Sequence, residues 1–388
     1  MDFVFNELKI IKDHALLREY KTIEGVQEPH IQIRGKSYLA FCSNNYLGLA
    51  NHPEIKQAAV LAIHQYGWGA GASRLVSGNM AVHEELEEKI AEFKGAEAAL
   101  LFSTGYMANL GTICAVVSKG DIVLGDKLNH ASIIDGSRLS GAMFRVYPHN
   151  NLDQLEALLQ RTSQYRRKLV VTDSLFSMDG DKAPLPEIAK LAQRYGAILM
   201  VDDAHATGIF GKQGRGLIEY FGLEGKVDIL MGSLSKAIGS IGGYIAGKKS
   251  FIDYLKNKAR PFMYTTALPP AVCAASLAGF KLIQKDSSFK EKLWENITYL
   301  EMRLSEKMKT ISIESPVVPL LVGSAENALR LSESLYQNGI LIPAIRPPTV
   351  PVNTSRLRLS LMATHSKENI DRLVDTLETI GFFSKKNT

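Results

Sequence analysis

Lys236 is the residue of this sequence best suited to covalent catalysis. It ends the segment GSLSK (232–236), which follows the apolar run 227–231. A lysine at the end of a buried strand is partly desolvated, so its pKa falls and its amine can form a Schiff base near neutral pH. The alternative is a helix-capping segment whose lysine stem lies on apolar surface while the amine reaches water.

An aspartate and a histidine follow a second apolar run. The segment VDDAH (201–205) places Asp202 at a strand end and His205 three residues later. A carboxylate at a buried strand end is costly unless it meets a cation. A protonated pyridine nitrogen is such a cation, and His205 could then bond a ring oxygen of the same ligand. The alternative is a metal pair or an Asx-type turn, and no histidine or cysteine cluster accompanies the motif to support a metal.

A glycine turn and a histidine could bind the phosphate and the aromatic ring of such a ligand. The segment FSTGYMAN (102–109) opens a helix, where Gly105 lets the backbone approach a phosphate and free N–H groups can bind it. His130 begins another helix and could stack on an aromatic ring, although an ordinary helix-start histidine is the alternative. The turn is not GxGxxG and no Walker A lysine follows it, which disfavours nucleotide folds.

These four features together predict a pyridoxal 5′-phosphate (PLP) site. PLP needs a phosphate seat, a residue that stacks on its ring, an acid for its pyridine nitrogen and a Schiff-base lysine. The sequence supplies them in the order phosphate turn, His130, Asp202 and Lys236. No metal site is predicted.

Short apolar runs alternate with helical patterns around these residues. Runs that are apolar throughout are typical of strands buried on both faces. They cover 98–102, 122–124, 169–172, 198–201, 229–231 and 244–246. With helices between them, they predict an open, mostly parallel α/β sheet. Ligands of such sheets bind beyond the carboxyl ends of the strands, where the polar motifs lie.

We expect three parts in the chain: an N-terminal helix and arm (1–50), a large PLP-binding domain (51–285) and a small C-terminal α+β domain (286–388). Apolar spacing predicts a helix in the first twenty residues and a surface helix over 81–94, with its charges on the outer face. Further predicted elements are helices at 268–284 and 287–309, strands near 316–322 and 356–361, and a last helix near 366–380.

The composition is that of a folded protein with no sign of a nucleic-acid or membrane partner. The 388 residues are 46% hydrophobic and carry a net charge of +5, with short basic clusters at 166–168 and 385–386 that indicate solvated surface. No apolar run reaches the 18 residues typical of a membrane helix, and the N-terminus does not read as a secretory signal. Three distant cysteines without CxxC favour a reducing cytosol, so we expect a cytoplasmic protein.

The joint pattern of motifs resembles the α-oxoamine synthase family of fold-type I PLP enzymes. Similar segments run from about residue 18 to residue 365. They are FCSNNYLGLA (41–50), GAGASRLVSG (69–78), FSTGYMAN (102–109), NHAS (129–132), FSMDGDKAPL (176–185), VDDAHATGIFG (201–211), GSLSK (232–236), YTTALPP (264–270), RPPTVP (346–351) and RLRLSLMATH (356–365). The resemblance implies a mostly parallel sheet flanked by helices, plus a smaller C-terminal α+β domain.

The resemblance also implies a role for each matching residue. Lys236 would bind PLP covalently and then act as acid and base, Asp202 would pair with the pyridine nitrogen, and His130 would stack on the ring and help hold the thioester carbonyl. The catalytic residues would be Lys236, His130, Asp202 and His205. The cofactor-binding residues would be Gly105, Tyr106, His130, Ser177, Asp202, His205, Ser233, Lys236, Thr265 and Thr266. Many relatives carry threonine in place of Ser233, and either hydroxyl can donate to phosphate.

The substrate and partner residues follow from the same resemblance. They would be Arg18, Asn44, His130, Thr349 and Arg358, with Arg358 gripping the carboxylate of the amino acid. Thr265 or Thr266 would reach the phosphate of the other subunit, which implies a homodimer with its active site at the subunit interface. The plainer alternatives are that Asn44 caps a turn, that Arg358 is a strand residue facing solvent and that Thr349 is only a loop residue.

Within the family, RLVSG (74–78) and the RPPTVP loop look most like the branch that serves biotin synthesis. The resemblance then implies decarboxylative condensation of L-alanine with a pimeloyl thioester, carried by CoA or by an acyl carrier protein. The alternatives use glycine with acetyl-CoA or succinyl-CoA, or serine with palmitoyl-CoA. A non-catalytic partner of the same fold is disfavoured by the intact set of site residues, and a nicotinamide dehydrogenase by the missing GxGxxG.

Overall fold

The computed structural model describes residues 1–308 and 312–384. The helices, in chain order, are α1 (Asp2–Asp13), α2 (Pro53–Tyr66), α3 (Ala81–Lys94), α4 (Gly105–Val116), α5 (Ala131–Leu139), α6 (Leu152–Leu159), α7 (Leu185–Arg194), α8 (Leu217–Tyr220), α9 (Lys249–Lys256), α10 (Arg260–Met263), α11 (Pro270–Lys285), α12 (Ser288–Ser305), α13 (Ala325–Gln337) and α14 (Lys367–Thr379), with a 3₁₀ turn at Leu49–Asn51. The predicted basic cluster at 385–386 and the end of the predicted helix 287–309 lie outside the described residues.

Thirteen strands accompany these helices in the described part of the chain. They are β1 (His30–Ile33), β2 (Lys36–Ala40), β3 (Ala98–Phe102), β4 (Ile122–Asp126), β5 (Met143–Tyr147), β6 (Lys168–Asp173), β7 (Ile198–Asp202), β8 (Ile229–Ser233), β9 (Gly243–Gly247), β10 (Val317–Gly323), β11 (Ile340–Leu341), β12 (Ala344–Ile345) and β13 (Ser355–Ser360). Each apolar run singled out in the sequence forms a strand.

The chain divides into two compact units. The large unit contains Leu49–Ser177 and Asp181–Lys290, and the small unit contains Met1–Gly48, Met178–Gly180 and Glu291–Thr388. The domain boundaries at residues 50 and 285 stay a prediction from the sequence.

The large unit is built on a seven-stranded sheet in the order β3-β9-β8-β7-β6-β4-β5. Strands β4 to β8 run parallel to one another, and β9 runs antiparallel to both β3 and β8. The mostly parallel α/β sheet predicted from the sequence is therefore confirmed. Because parallel strands place their carboxyl ends at one edge, the polar segments that follow β4, β6, β7 and β8 lie at the same edge of the sheet.

Both faces of this sheet are buried. Leu100 and Phe102 of β3 contribute to one apolar core with helices α4 and α5, whereas the alternate residues Ala99 and Leu101 contribute to a second core with α3 and α11. Alternation between two cores is expected of a strand whose successive side chains point to opposite faces. This burial explains why the strands are apolar throughout.

Helix α3 corrects one feature of the predicted surface helix at 81–94. Its apolar face is buried as expected, but Glu87 and Lys94 are also buried, with 8% and 5% of their surface exposed. Arg74 forms a bidentate pair with Glu87, and Lys94 pairs with Asp203. The spacing of apolar residues did not identify these two charges as buried, because Arg74 lies outside the helix and Asp203 lies 109 residues beyond Lys94.

The small unit holds two three-stranded sheets, in the orders β1-β2-β11 and β10-β13-β12. Strand β13 runs antiparallel to β10 and is buried along its whole length. Helix α14 is capped by Ser366, whose hydroxyl accepts a hydrogen bond from the backbone N–H of Asn369. The predicted strands and last helix of this region are present.

Three further observations concern the described part of the chain. Among residues 1–308 and 312–384, no helix is long and apolar enough to cross a membrane. The three cysteines, Cys42, Cys114 and Cys273, are free thiols. Of the basic cluster 166–168, Arg166 is largely exposed and pairs with Asp121.

Candidate active site

Four strands of the large sheet each end in a polar residue at the carboxyl edge of the sheet. Strand β4 ends at Asp126, β6 at Asp173, β7 at Asp202 and β8 at Ser233. Each is buried, with 1 to 5% of its surface exposed. Buried polar groups at strand ends are costly unless they are hydrogen-bonded, so their partners show how the site is held together.

Asp202 is held by two neutral donors. Asn109 Nδ2 of helix α4 donates to Asp202 Oδ2 at 2.7 Å, and the backbone N–H of Ala204 donates to Asp202 Oδ1 at 3.0 Å. Both bonds orient the carboxylate without neutralising its charge. A buried carboxylate solvated in this way suits the cationic nitrogen of a pyridine ring.

Asp173 lies beside Asp202 in the register of β6 and β7. Burial and the negative charge of Asp202 raise the pKa of Asp173 well above its usual range. Asp173 Oδ2 accepts the backbone N–H of His130 at 2.8 Å, and Asn129 Oδ1 accepts the N–H of Asp173 at 3.1 Å. Asp173 therefore ties the start of helix α5 to the sheet, a role that the sequence did not suggest.

His130 stands at the start of α5 and is an exposed residue of the single chain. It caps the helix, because the backbone N–H of Ser132 donates to its Nδ1. Desolvation lowers its pKa, the charge of Asp202 raises it and the charge of Lys236 lowers it, with a net lowering. His130, Asp202 and Lys236 are thus within electrostatic reach of one another.

Lys236 lies in the connection between β8 and β9 and is half-buried. Its carbonyl accepts the N–H of Gly239 at 2.8 Å, and Ser240 N–H donates to Leu234 O at 2.9 Å. The connection, which the structure describes in full, is a pair of turns with no helix. The helix-capping alternative for Lys236 is therefore wrong, whereas its placement at the carboxyl edge of the sheet agrees with a Schiff-base lysine.

The glycine turn before α4 approaches β8 closely. A Cβ added to Gly105 would lie 3.0 Å from Met231 Cε and 3.7 Å from Ser233 Oγ, and a Cβ on Gly243 would lie 2.5 Å from Gly105 Cα. Thr104 Oγ1 caps the helix by accepting Met107 N–H at 3.1 Å. The N–H groups of the first turn of a helix have no partner within it and favour an anion such as phosphate.

The other predicted cofactor residues occupy varied positions in the large unit. His205 is buried in the turn after β7, and Ser177 is half-buried in a hairpin after β6. The Tyr106 hydroxyl donates to Asp135, and its ring lies 6.3 Å from that of His130. Thr265 is half-buried and Thr266 is exposed.

The backbone of Thr266 contacts two segments, one of which is the turn after β3. It forms a β-bridge with Ser73, and its carbonyl accepts a hydrogen bond from Ser103 Oγ at 3.4 Å. Ser103 directly follows β3. The side chain of Thr266 remains exposed in the single chain.

Asp203, the second acid of VDDAH, serves a structural network. Its Oδ2 pairs with Lys94 Nζ at 2.9 Å, and its Oδ1 accepts from Ser174 Oγ at 2.7 Å and from Leu217 N–H at 3.1 Å. Burial by itself would lower the pKa of Lys94, but the carboxylate of Asp203 outweighs it and the pKa is raised. Among residues 1–308 and 312–384, no group of three or more His, Cys, Asp and Glu side chains is placed to hold a metal ion.

A second network, missed in the sequence, holds the hairpin that carries Ser177. His149 Nδ1 bonds Asp126 at 3.0 Å and its Nε2 bonds Asp181 at 2.8 Å. The ring of Phe176, the neighbour of Ser177, packs edge-on against His149 at 4.4 Å. Burial lowers the pKa of His149, but the two carboxylates outweigh it and raise this pKa to about 10.

In the small unit, Arg358 and Asn44 lie together. Arg358 is buried on β13, with 6% of its surface exposed, so the solvent-facing alternative is wrong. Its Nη1 donates to Ser360 Oγ at 2.7 Å, and its Nη2 donates to Asn44 Oδ1 at 3.2 Å and to Tyr46 Oη at 3.4 Å. Asn44 thus orients the guanidinium in addition to forming a local turn. Burial raises the pKa of nearby Cys42 to about 11, although the charge of Arg358 opposes it.

Arg18 and Thr349 also meet within the small unit. Arg18 Nη2 donates to Pro347 O at 3.1 Å and reaches Thr349 Oγ1 at 3.5 Å. Arg346 binds the same N-terminal segment through the carbonyls of Ala15 and Leu17. Both Arg18 and Thr349 are exposed.

Three comparisons place this geometry in a family. The model of the family described as aminotransferase class I and II matches residues 36–377. The chain belongs to the aminotransferase class I and II family. Over 387 residues it is 46% identical to the 8-amino-7-oxononanoate synthase of Thermoanaerobacter pseudethanolicus, with 98% of this chain and 97% of the relative covered.

Solved structures of other members have the same fold. A high-resolution structure of serine palmitoyltransferase (SPT) with PLP is 32% identical to this chain. The match covers 98% of this chain and 96% of the SPT chain, with a TM-score of 0.92. A crystal structure of 8-amino-7-oxononanoate synthase from Francisella tularensis is 30% identical, covers 89% of this chain and 98% of its own, and gives a TM-score of 0.75. The fold-type I PLP transferase fold and the resemblance to the α-oxoamine synthases are both confirmed.

The residues of the large unit fit the cofactor of this aminotransferase class I and II fold. Asp202 is a buried carboxylate whose hydrogen-bond donors are neutral. Gly105 brings the start of α4 so close to β8 that an added Cβ would lie 3.0 Å from Met231 Cε. Lys236 lies at the same edge of the sheet. These observations agree with binding of the pyridine nitrogen of PLP at Asp202, its phosphate near Gly105 and its aldehyde carbon at Lys236.

Proposed function

We propose that this chain is a PLP-dependent acyltransferase that condenses L-alanine with a pimeloyl thioester. The products are 8-amino-7-oxononanoate, carbon dioxide and the free thiol, in biotin biosynthesis. One observation carries this proposal: curated relatives that match 97 to 98% of the chain at 42 to 48% identity are 8-amino-7-oxononanoate synthases. The site residues in the large unit supply the groups that such chemistry needs.

Bound PLP supplies an electron sink for the α-carbon of the amino acid. Lys236 would hold the cofactor through its amine and would also move the α-proton of the amino acid. Lys236 is half-buried at the carboxyl edge of the sheet, within electrostatic reach of His130. Asp202 keeps the ring nitrogen protonated.

The other residues bind and orient. Gly105, Tyr106 and Ser233 hold the phosphate, with Thr265 or Thr266 contributed by a partner subunit, and Ser177 and His205 contact the ring oxygen. His130 stacks on the ring and stabilises the negative charge that develops on the thioester carbonyl. In the small unit, Arg358 and Asn44 bind the carboxylate of alanine, and Arg18 and Thr349 bind the acyl substrate.

We also propose that the chain works as a homodimer in the cytoplasm. The exposed side chain of Thr266 agrees with a contact supplied to a second copy, and three free thiols agree with a reducing compartment. The acyl donor is either pimeloyl-CoA or a pimeloyl-carrier protein. Light scattering of the purified protein tests the dimer, and a comparison of rates with the two thioesters tests the donor.

The experiment that tests the activity is thiol release from pimeloyl-CoA by the purified, PLP-loaded protein. L-Alanine, glycine and L-serine are supplied separately, and Lys236→Ala is the control. We expect release with alanine to exceed release with the other two, and Lys236→Ala to lose turnover while retaining some PLP. Turnover by the variant above its contamination control would contradict the role of Lys236.

A second candidate is serine palmitoyltransferase activity. The reason to consider it is that SPT structures match 98% of the chain with a TM-score of 0.92. The identity to these structures is 32%, against 46% to the curated synthase, which favours the first candidate. L-Serine with palmitoyl-CoA, added to the same assay, distinguishes the two.

A further inference from the structure

We propose that Asn109 and Ser132 are positioning residues that fix His130 as the Nε2–H tautomer, so that its ring donates a hydrogen bond at Nε2 and does not act there as a base. This inference rests on the proposed function, because it defines what His130 contributes to that site. It is drawn from a chain of hydrogen bonds that runs from Asp202 through Asn109 and Ser132 to His130.

The direction of this chain is set at Asp202. An ionised carboxylate only accepts hydrogen bonds, so the Asn109 atom 2.7 Å from Asp202 Oδ2 is its NH₂ group. The second proton of that group points at Ser132 Oγ, 2.9 Å away. The amide oxygen of Asn109 is buried and has no hydrogen-bond partner among the described residues. The orientation of the amide is therefore fixed by its donor side.

The hydrogen bond from Ser132 to the His130 ring has the same donor-to-acceptor direction. Its Oγ accepts from Asn109, which leaves its own proton to donate to His130 Nδ1 at 2.7 Å. Ser132 is fully buried, so a hydroxyl proton without an acceptor would be costly. The backbone N–H of Ser132 also donates to Nδ1, at 3.3 Å. With two donors at Nδ1, the one proton of the neutral ring has to reside on Nε2.

The surroundings of the ring favour its neutral form. The titratable groups around it are Tyr106, Asp135, Asp173, Asp202 and Lys236. Desolvation and the charge of Lys236 lower the pKa of His130, and together they outweigh Asp202 and Asp135. A neutral ring that presents only a donor at Nε2 suits an oxygen that gains negative charge, such as the carbonyl oxygen of the acyl thioester.

The test observes the ring directly. The full chain, purified with its cofactor and labelled with ¹³C,¹⁵N-histidine, is studied by magic-angle-spinning NMR, and His130 is assigned from the signals lost in His130→Gln. At pH 7.5 we expect protonated Nε2 and unprotonated Nδ1. Ser132→Ala removes the shorter of the two donors to Nδ1, so it should raise the pKa of His130 by about half to one unit.

Two further variants sharpen the result. Asn109→Leu leaves Ser132 Oγ free to accept from Nδ1–H, so a measurable share of the ring should move to that tautomer. Ser137→Ala is the matched control, because Ser137 is also buried on α5 but its hydroxyl donates to Ile133 O at 2.7 Å. We expect the control to keep the wild-type tautomer and pKa. In the condensation assay, Ser132→Ala should lower kcat about tenfold with little change in the KM for alanine.

A wild-type ring protonated at Nδ1 would overturn the inference, and this measurement stands even if a variant fails to fold. So would a pKa in Ser132→Ala equal to that in Ser137→Ala. The NMR result is independent of the substrate. The Nε2–H tautomer without product from alanine and pimeloyl-CoA would remove the proposed function alone, and product formation with an Nδ1–H ring would remove the positioning inference alone.

Discussion

At the scale of single residues, the chemistry depends on how each charge is solvated. Asp202 has neutral donors and keeps its charge available for a cation, whereas its neighbour Asp203 is neutralised by Lys94. The two adjacent aspartates therefore have different roles, which are set by their hydrogen-bond and ion-pair partners. The same principle applies to Arg358, whose guanidinium is oriented by the hydroxyl of Ser360 and the amide of Asn44, both neutral partners.

Arg358→Lys should weaken the binding of L-alanine. A lysine keeps the positive charge but loses the planar fork that grips a carboxylate with two hydrogen bonds. We expect the KM for alanine to rise at least about tenfold, equivalent to about 1.4 kcal/mol, with a smaller change in PLP affinity. Steady-state kinetics and a PLP titration measure both. Arg330→Lys, on the surface helix α13 of the same unit, is the control, and an unchanged KM in Arg358→Lys would contradict the assignment.

The residues around the site were predictable to different degrees. Lys236, Asp202 and His130 were identified because each follows or lies near an apolar run whose strand could be recognised. Asn109 and Ser132 are neutral and ordinary in type, and Asn109 lies 93 residues from the aspartate it contacts. Contacts over such distances depend on how the strands are arranged, which spacing alone does not show.

At the scale of elements, two polar networks hold the segments that carry the site. Lys94 and Asp203 tie helix α3 to the turn after β7. His149 bonds Asp126 and Asp181, and so ties the end of β4 to the hairpin that carries Ser177. Strand β5 was missed in the sequence, because it is an edge strand with exposed residues, including Arg145, and β4 is its one partner among the described strands. The other strands of this sheet contain the buried apolar runs that the sequence analysis identified.

Lys94→Met should destabilise the protein strongly. The side chains of Lys94 and Asp203 are almost fully buried, and removal of one partner leaves an uncompensated charge. We expect a loss of about 3–5 kcal/mol in the free energy of unfolding. Lys89→Met is the control on the same helix, since Lys89 pairs with Glu92, which is largely exposed, and should cost less than about 1 kcal/mol. Urea denaturation compares them, and equal losses would be contrary to a buried pair.

His149 should make stability fall on the alkaline side. Its pKa is raised from 6.5 to about 10 in the folded protein, so the folded state holds the proton more tightly. This contribution is fully present below about pH 6.5 and is lost as pH rises through about 10. We expect the difference in unfolding free energy between wild type and His149→Gln to shrink by on the order of 2 kcal/mol from pH 6 to pH 10. Other titrating groups cancel in the difference. A difference that stays constant with pH would contradict a protonated His149 held between Asp126 and Asp181.

At the scale of the whole molecule, the fold follows from two levels of pattern. Strands that are buried on both faces predicted the parallel sheet, and the rule that ligands bind at carboxyl ends of strands predicted where its polar residues would meet. A smaller C-terminal α+β unit was predicted from strands near 316–322 and 356–361 and a last helix near 366–380, where β10, β13 and α14 lie. Its N-terminal segment, which joins the C-terminal residues in one compact unit, was not grouped with them in the sequence.

The most direct test of the proposed reaction follows the carboxyl carbon of alanine. The PLP-loaded protein is incubated with pimeloyl-CoA and L-alanine labelled with ¹³C at the carboxyl group, and gas and products are analysed by mass spectrometry. We expect one labelled carbon dioxide and one free thiol for each unlabelled 8-amino-7-oxononanoate. Retention of the label in the condensed product, or thiol release without the amino ketone, would contradict decarboxylative condensation by this protein.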